Sequence, residues 1–205
     1  NISIANNTKV NPNVDVSSWC PVGIPDASTS PDGGNIAPVT TDLAGGKGGE
    51  PFSDKLVRGV RVKEVRIWGI STIQAIEIVT ESKEGFITEG GPKGFALGTP
   101  KKFILAPGEC INGIEGTWDG TSGKLIHTLR IITNKRKSKW FGSIAGRKGK
   151  KEFLFEVPPE GAFSGFYGTS SKRNLISLGI KYNIYQYVVF DENGRLIETT
   201  GDKSK

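Results

Sequence analysis

The sequence predicts an all-β fold, and three observations carry that prediction. From Val57 onward, short β-branched runs are separated by Gly, Pro, Asn and Asp. No segment sustains a helical period over three turns. The 205 residues also include 28 glycines and 11 prolines against only 36% hydrophobic residues, the balance of a turn-rich β protein.

Taken in order, residues 1–43 are rich in Asn, Ser, Thr, Pro, Gly and Asp, with no sustained period, and read as an extended arm. Its one sticky point is Trp19-Cys20-Pro21, expected to dock on the following domain. Val60 and Val62 then alternate on one face, whereas Val65 and Ile67 take the opposite parity. A β-bulge near Lys63 and Glu64 would keep all four inside. Further strands are predicted at 73–80, 102–105, 110–117, 125–133, 153–157, 162–167 and 176–184. In the last of these, Ile176, Leu178, Ile180, Tyr182 and Ile184 share one face. So many short strands call for a closed or sandwiched antiparallel architecture that removes exposed edges. A final pair, 188–191 and 195–199 around Glu192-Asn193-Gly194, reads as an added hairpin, and residues 202–205 are expected to fray.

No run approaches the 18 or more apolar residues of a membrane span. The chain starts at Asn1 and contains no methionine, and it is read as a mature, secreted form whose leader has been removed. Two sequons, Asn1-Ile2-Ser3 and Asn6-Asn7-Thr8, suit that reading. Cys20 and Cys110 fit no metal-binding pattern. In an extracellular protein they are expected to pair, closing a loop of about 90 residues worth ~4 kcal/mol on the chain-entropy model; two buried thiols are the alternative. The net charge is +6, but residues 1–44 sum to −3, so the remainder carries +9. That excess favours anionic partners without naming one.

In order, the turn signatures are specific. GGKGGEPFSD begins at Gly45 and precedes a strand ending Arg66-Ile67-Trp68-Gly69. There follow GGPKG from Gly90, LAPGECINGIEG from Leu105, LRIITN from Leu129, the pair Phe141-Gly142, and GAFSGFYG from Gly161 leading to LGIKY from Leu178. This series resembles the jacalin-related lectins over about residues 44–185. The resemblance implies a β-prism of three four-stranded Greek-key sheets. It divides the chain into an arm at 1–43, a lectin domain at 44–187, and a hairpin and tail at 188–205.

The resemblance also implies a site. In the family a glycine-rich turn and a later loop cradle a monosaccharide, with backbone N–H donors on one side and a carboxylate acceptor on the other. By analogy, Gly45, Gly46, Lys47 and Gly48 form the first wall. Residues 168–176, including Ser171, Lys172, Arg173 and Asn174, form the second, and the turn 118–124, with Trp118, Asp119 and Lys124, the third. The sequence departs from the family at one decisive position. The later loop reads GTSSKRNLISLG, one residue longer than the usual pattern, with Ile176 where the carboxylate is expected. No Asp or Glu occurs between Gly161 and Phe190, so a register shift does not restore the acceptor. A weakened or remodelled site is expected, with Asn174 as a neutral substitute and Lys172 and Arg173 adding positive charge.

The stretch NKRKSKWFGSIAGRKGKK holds Lys135, Arg136, Lys137, Lys139, Arg147, Lys148, Lys150 and Lys151 and no acidic residue. It reads either as a polyanion-binding patch, bordering the remodelled loop together with Lys172 and Arg173, or as a solvated loop anchored by Trp140 and Phe141. His127 shares strand parity with Leu125, Leu129 and Ile131 and is read as a satisfied, partly buried side chain. The segment Gly120-Thr121-Ser122-Gly123-Lys124 imitates a phosphate loop but lacks its first glycine and its closing Ser or Thr. No catalytic order, paired-carboxylate motif, cofactor site or metal-binding spacing stands out. The expected function is therefore non-enzymatic glycan recognition by a secreted protein with a non-standard, basic binding site; binding of anionic glycans or phospholipids through the basic patch is one alternative. A protein-interaction or effector module that has lost sugar binding is the other reading, nucleic acid is disfavoured, and homo-oligomerisation is left open.

Overall fold

The structure is a computed structural model that describes residues 38–56, 59–119, 125–143, 150–159 and 161–184, together with two short strands beyond them. Every described element is a strand. They are β1 (Val39–Thr40), β2 (Ala44–Gly45), β3 (Glu50–Ser53), β4 (Val60–Trp68), β5 (Ala75–Ser82), β6 (Ile87–Glu89), β7 (Lys93–Gly94) and β8 (Lys101–Ile104). The series continues with β9 (Ile111–Trp118), β10 (Ile126–Thr133), β11 (Phe141–Gly142), β12 (Lys151–Glu156), β13 (Gly161–Ser170), β14 (Leu175–Ile184), β15 (Val189–Phe190) and β16 (Leu196–Ile197).

Three antiparallel sheets form the body, each built on a central hairpin. One has the order β6-β5-β4-β8, with β7 continuing the β6 position along β5. The second runs β11-β10-β9-β12. The third runs β1-β14-β13-β3, with β2 continuing the β1 position along β14. Each sheet thus has four strand positions and Greek-key connectivity, as the sequence implies. The third is assembled from both ends of the domain, since β1 to β3 pair with β13 and β14. The predicted terminal hairpin is present as β15 and β16.

The core shows why three sheets meet. Ile73, Ile76 and Ile78 are buried from the first hairpin, Ile126, Leu129 and Ile131 from the second, and Leu175, Leu178 and Ile180 from the third. The spacing i, i+3, i+5 is that of a strand interrupted by one bulged residue. Register shifts fall between Ile126 and Thr128, and between Thr169 and Ser170 opposite Leu175 and Ser177. The expected bulge in β4 is also present, between Val62 and Glu64.

Four sequence readings change here. Bulging at His127 makes Ile126, rather than Leu125, the inward companion of Leu129 and Ile131. Bulging at Ile176 makes Leu175 the core residue beside Leu178 and Ile180, and turns Ile176 away from their face. Sheet pairing starts at Val39, inside the stretch read as arm, because two residues pairing with Lys181 and Tyr182 are too few to show alternation. The basic run, described below, is divided between two ends of a sheet. Trp19 and Cys20 lie outside the described residues.

Candidate functional site

The three hairpin tips meet at one end of the prism. The Ile73 amide donates to the Ile126 carbonyl at 2.8 Å, and the Leu175 amide donates to the Ile73 carbonyl at 3.2 Å. Thr72 Oγ1 donates to Asn174 Oδ1 at 3.3 Å. The loops at 69–74 and 171–174, and the strand ends at Asp119 and Leu125, therefore belong to the same end.

At the third sheet's tip, the glycine-rich turn between β2 and β3 lies against the β13–β14 hairpin. The Gly46 amide donates to the Ile176 carbonyl at 3.0 Å, Gly45 pairs with Ser177, and Glu50 pairs with Ser170. The glycines answer mainly to this packing. Gly45 has φ +115°, and a Cβ there would overlap the Ile176 carbonyl oxygen. Gly94 and Gly142 repeat the arrangement against the carbonyls of Gln74 and His127. Gly49 has φ +85°, and its Cβ would lie 2.6 Å from the Ser170 oxygen and 2.8 Å from Ile176 Cδ1, too close to be accommodated without movement. Gly48, by contrast, faces open space.

Ile176 is 9% exposed, with its side chain against Gly49. An apolar side chain therefore lies against the glycine-rich turn at the position where the resemblance implies a carboxylate. The hairpin loop meets much of its own hydrogen-bonding need. The Ser171 amide donates to the Asn174 carbonyl at 2.9 Å, and Ser171 Oγ accepts from the Arg173 and Asn174 amides, each at 3.2 Å. Asn174 Oδ1 is occupied by Thr72. Lys47, Lys172 and Arg173 are exposed around this tip.

The other predicted wall forms its own cluster. Asp119 Oδ1 accepts from Lys150 Nζ and is hydrogen-bonded to His127 Nε2. Burial pushes the Asp119 carboxyl up, but the lysine and histidine outweigh it and hold the group below the usual carboxylate range. Lys151 Nζ sits 5.3 Å from the centroid of the Trp118 ring. Lys124 lies outside the described residues. Gln74, His127 and Ile176 occupy equivalent bulged positions in the three sheets, so none of the three tips presents a carboxylate there.

The basic run is not one patch. Lys135, Arg136 and Lys137 follow the far end of β10, whereas Lys151 pairs with Trp118 at the tip end. Arg136 bonds buried Glu109 at 2.8 Å and the Ile104 carbonyl at 2.8 Å, and stacks 4.7 Å over the Phe103 ring. Lys135 Nζ donates to the Pro107 carbonyl at 2.8 Å, and Lys137 pairs with Glu115 at 3.2 Å. Lys139 is exposed, and Arg147 and Lys148 lie outside the described residues. The neutralising carboxylates come from β9 and the turn before it, which a count along the run cannot register. Phe141 enters the core as expected, and Trp140 lies 4.4 Å beneath the Arg130 guanidinium.

One positioning pair escaped the sequence reading. Asp54 is buried and accepts from the Phe166 amide at 3.1 Å, while its own amide donates to the Phe166 carbonyl at 2.9 Å. Lys181 Nζ donates to Ser53 Oγ at 2.8 Å and to the Asp54 carbonyl. Burial raises the Asp54 carboxyl and lowers the Lys181 ammonium relative to their ordinary ranges. Together they hold the end of β3 and, through it, the glycine-rich turn. Lys181 stands in a hydrophobic strand context, and Asp54 in the quoted GGKGGEPFSD signature was the available signal.

Among the described residues, no group of three or more His, Cys, Asp or Glu is placed to hold a metal ion, and no helix is long and apolar enough to cross a membrane. Three Greek-key sheets around a common core, with a glycine-rich turn docked on a hairpin at one end, define a β-prism of the lectin type. The model of the Jacalin-like lectin domain matches residues 41–181, and the chain belongs to that family. It is 33% identical over 152 residues to Jacalin-related lectin 4 of Arabidopsis thaliana, covering 69% of this chain but 18% of that protein. It is likewise 33% identical over 154 residues to Jacalin-related lectin 2 of the same plant, covering 71% of this chain and 83% of that one. Several curated relatives are thus much longer than the matched region. Among solved structures, a mannose-binding jacalin-related lectin from Ananas comosus superposes with a TM-score of 0.58 at 25% identity, over 72% of this chain and 99% of that one.

Proposed function

We propose that this protein is a non-enzymatic glycan-recognition protein whose site, at the 45–49 turn and the 170–176 hairpin, selects anionic glycans over neutral monosaccharides. The observation that carries the reading is Ile176 against Gly49. It places an apolar floor where a neutral sugar would need an acceptor, while Lys47, Lys172 and Arg173 surround it. A sulfate or carboxylate group brings its own acceptors, and charge-assisted hydrogen bonds from these side chains and from turn amides suit it. Single-site affinity is weak, and useful binding comes from multivalent presentation.

A glycan array at low and high salt tests this. Binding of sulfated or uronate-bearing glycans that collapses with salt, and that falls in a Lys47→Ala/Lys172→Ala/Arg173→Ala variant, supports it. Salt-insensitive binding of neutral mannosides or galactosides overturns it in favour of an inherited pocket. Substitution of Lys135, Arg136 and Lys137 should not matter to glycan affinity, because they follow the far end of β10. The same reading includes secretion and a Cys20–Cys110 disulfide, checked by peptide mapping without reduction.

A second reading, a protein-interaction or effector module without sugar binding, is favoured by the same isoleucine together with the self-satisfied bonding of Ser171 and Asn174. A silent array combined with capture of a partner from deglycosylated extract would select it.

A further inference from the structure

We propose that the tip end of the prism docks on an anionic phospholipid bilayer, with Ile70 and Leu97 entering the headgroup region and lysine and arginine side chains of the same end meeting lipid phosphates. The inference goes beyond the glycan reading: it shares the exposed Lys47, Lys172 and Arg173 with that site, but its apolar contact lies on a different sheet's tip and is tested separately by the Ile70 and Leu97 substitutions.

The carrying observation is the apolar apex of the sheet built on β4 and β5. Ile70, between Gly69 and Ser71 in the turn joining those strands, is 86% exposed. Leu97 and Phe95, in the loop between β7 and β8, are 68% and 37% exposed. The two loops are stitched together: the Phe95 amide donates to the Gln74 carbonyl at 3.0 Å, and Trp68 Nε1 donates to the Gly98 carbonyl at 3.0 Å. These apolar side chains therefore share a firmly held apex. Scattered single apolar side chains are ordinary on a protein surface, whereas a cluster at a loop apex marks an interaction site.

Charge identifies the occupant. The Ile73, Ile126 and Leu175 hydrogen bonds place this apex at the same end as the third sheet's tip. Lys47, Lys172 and Arg173 are exposed there, as is Lys101, which pairs with Ile67 beside the apex. Against them, among the described residues, stand the exposed Glu50, the exposed Glu152 beside Lys151 on β12, and an Asp119 already engaged by His127 and Lys150. A purely ionic partner, such as a sulfated polysaccharide, has no use for a protruding isoleucine and leucine. A bilayer surface with anionic headgroups uses both, by shallow insertion of apolar side chains and attraction of flanking cations.

The test is flotation of the full chain with vesicles of phosphatidylcholine alone or containing about one-third phosphatidylserine. The chain should float with the anionic vesicles and not with the neutral ones. Ile70→Ser/Leu97→Ser should weaken binding by about tenfold or more, and Lys172→Glu/Arg173→Glu should do the same through charge. Phe86→Ser is the control: Phe86 is 72% exposed beyond the opposite end of β5, about 25 Å away, and its loss should change nothing. Ile70→Trp supplies a second readout, a blue shift of its emission on anionic vesicles. The proposal is overturned by failure to float, by binding that ignores the Ile70 and Leu97 substitutions, by an equal loss in Phe86→Ser, or by an unshifted Ile70→Trp emission. Capture by a soluble sulfated polysaccharide without vesicle binding assigns this end to polyanions and also overturns it.

Discussion

Ile73 joins hairpins from different sheets: its amide donates to Ile126 at 2.8 Å, while its carbonyl accepts from Leu175 at 3.2 Å. All three residues are fully buried and occupy equivalent positions at the ends of their hairpins. The candidate site is consequently positioned by a core contact between sheets as well as by its own loops.

Truncation at that junction should therefore loosen the tip as well as the core. Ile73→Ala is expected to cost about 2–5 kcal/mol, the range for a large-to-small core change, measured by urea denaturation. Amide exchange should rise at Gly46 and Ser171 more than at Phe86, which lies at the far end.

The turn glycines should divide by what surrounds them. Gly45→Ala brings a Cβ onto the Ile176 carbonyl, and Gly49→Ala brings one onto Ser170 and Ile176. Each should cost several times the loss in Gly48→Ala, which meets open space and retains only the strain of φ +91°, about 1 kcal/mol. Thermal melts of the three variants measure the difference.

Much of this was legible in the sequence, and the failures have local causes. The bulge in β4 showed because four valines and isoleucines change parity across Lys63 and Glu64. The bulges at His127 and Ile176 did not, because Leu125 and Ile126, like Leu175 and Ile176, are adjacent apolar residues and either member could face inward. Only the repeated spacing 73-76-78, 126-129-131 and 175-178-180 distinguishes them, and it becomes a signal when the three segments are aligned with one another. The basic run misled for a different reason: Glu109, Glu115 and Asp119 reach Arg136, Lys137 and Lys150 through sheet pairing and turns rather than through sequence proximity.

Restoring the missing acceptor should change what the tip binds. Ile176→Asp places a carboxylate beside Gly49 and the turn amides. Under the proposed function it should give measurable affinity for neutral monosaccharides by calorimetry while weakening binding to sulfated glycans. Stability should fall by about 1–3 kcal/mol as a buried apolar contact is lost. Unchanged specificity in a folded variant would show that position 176 does not set it.

The far end of the prism carries a pH-dependent contribution to stability. Burial alone would raise the Glu109 carboxyl, but hydrogen bonds from Arg136, the Ala106 amide and Thr133 together hold it below the ordinary glutamate range. A carboxyl that is more acidic in the folded chain stabilises the fold while ionised, so its contribution is complete above the unfolded-state value and disappears as pH falls through the folded one. Glu109→Gln keeps the shape and removes the charge, leaving Arg136 with a neutral partner. At neutral pH the variant should be less stable by about 1–3 kcal/mol, and the gap should close in acid as the wild-type carboxyl protonates. Urea denaturation across an acidic pH series reads this directly; a gap constant through the acid range would mean that Glu109 contributes packing alone.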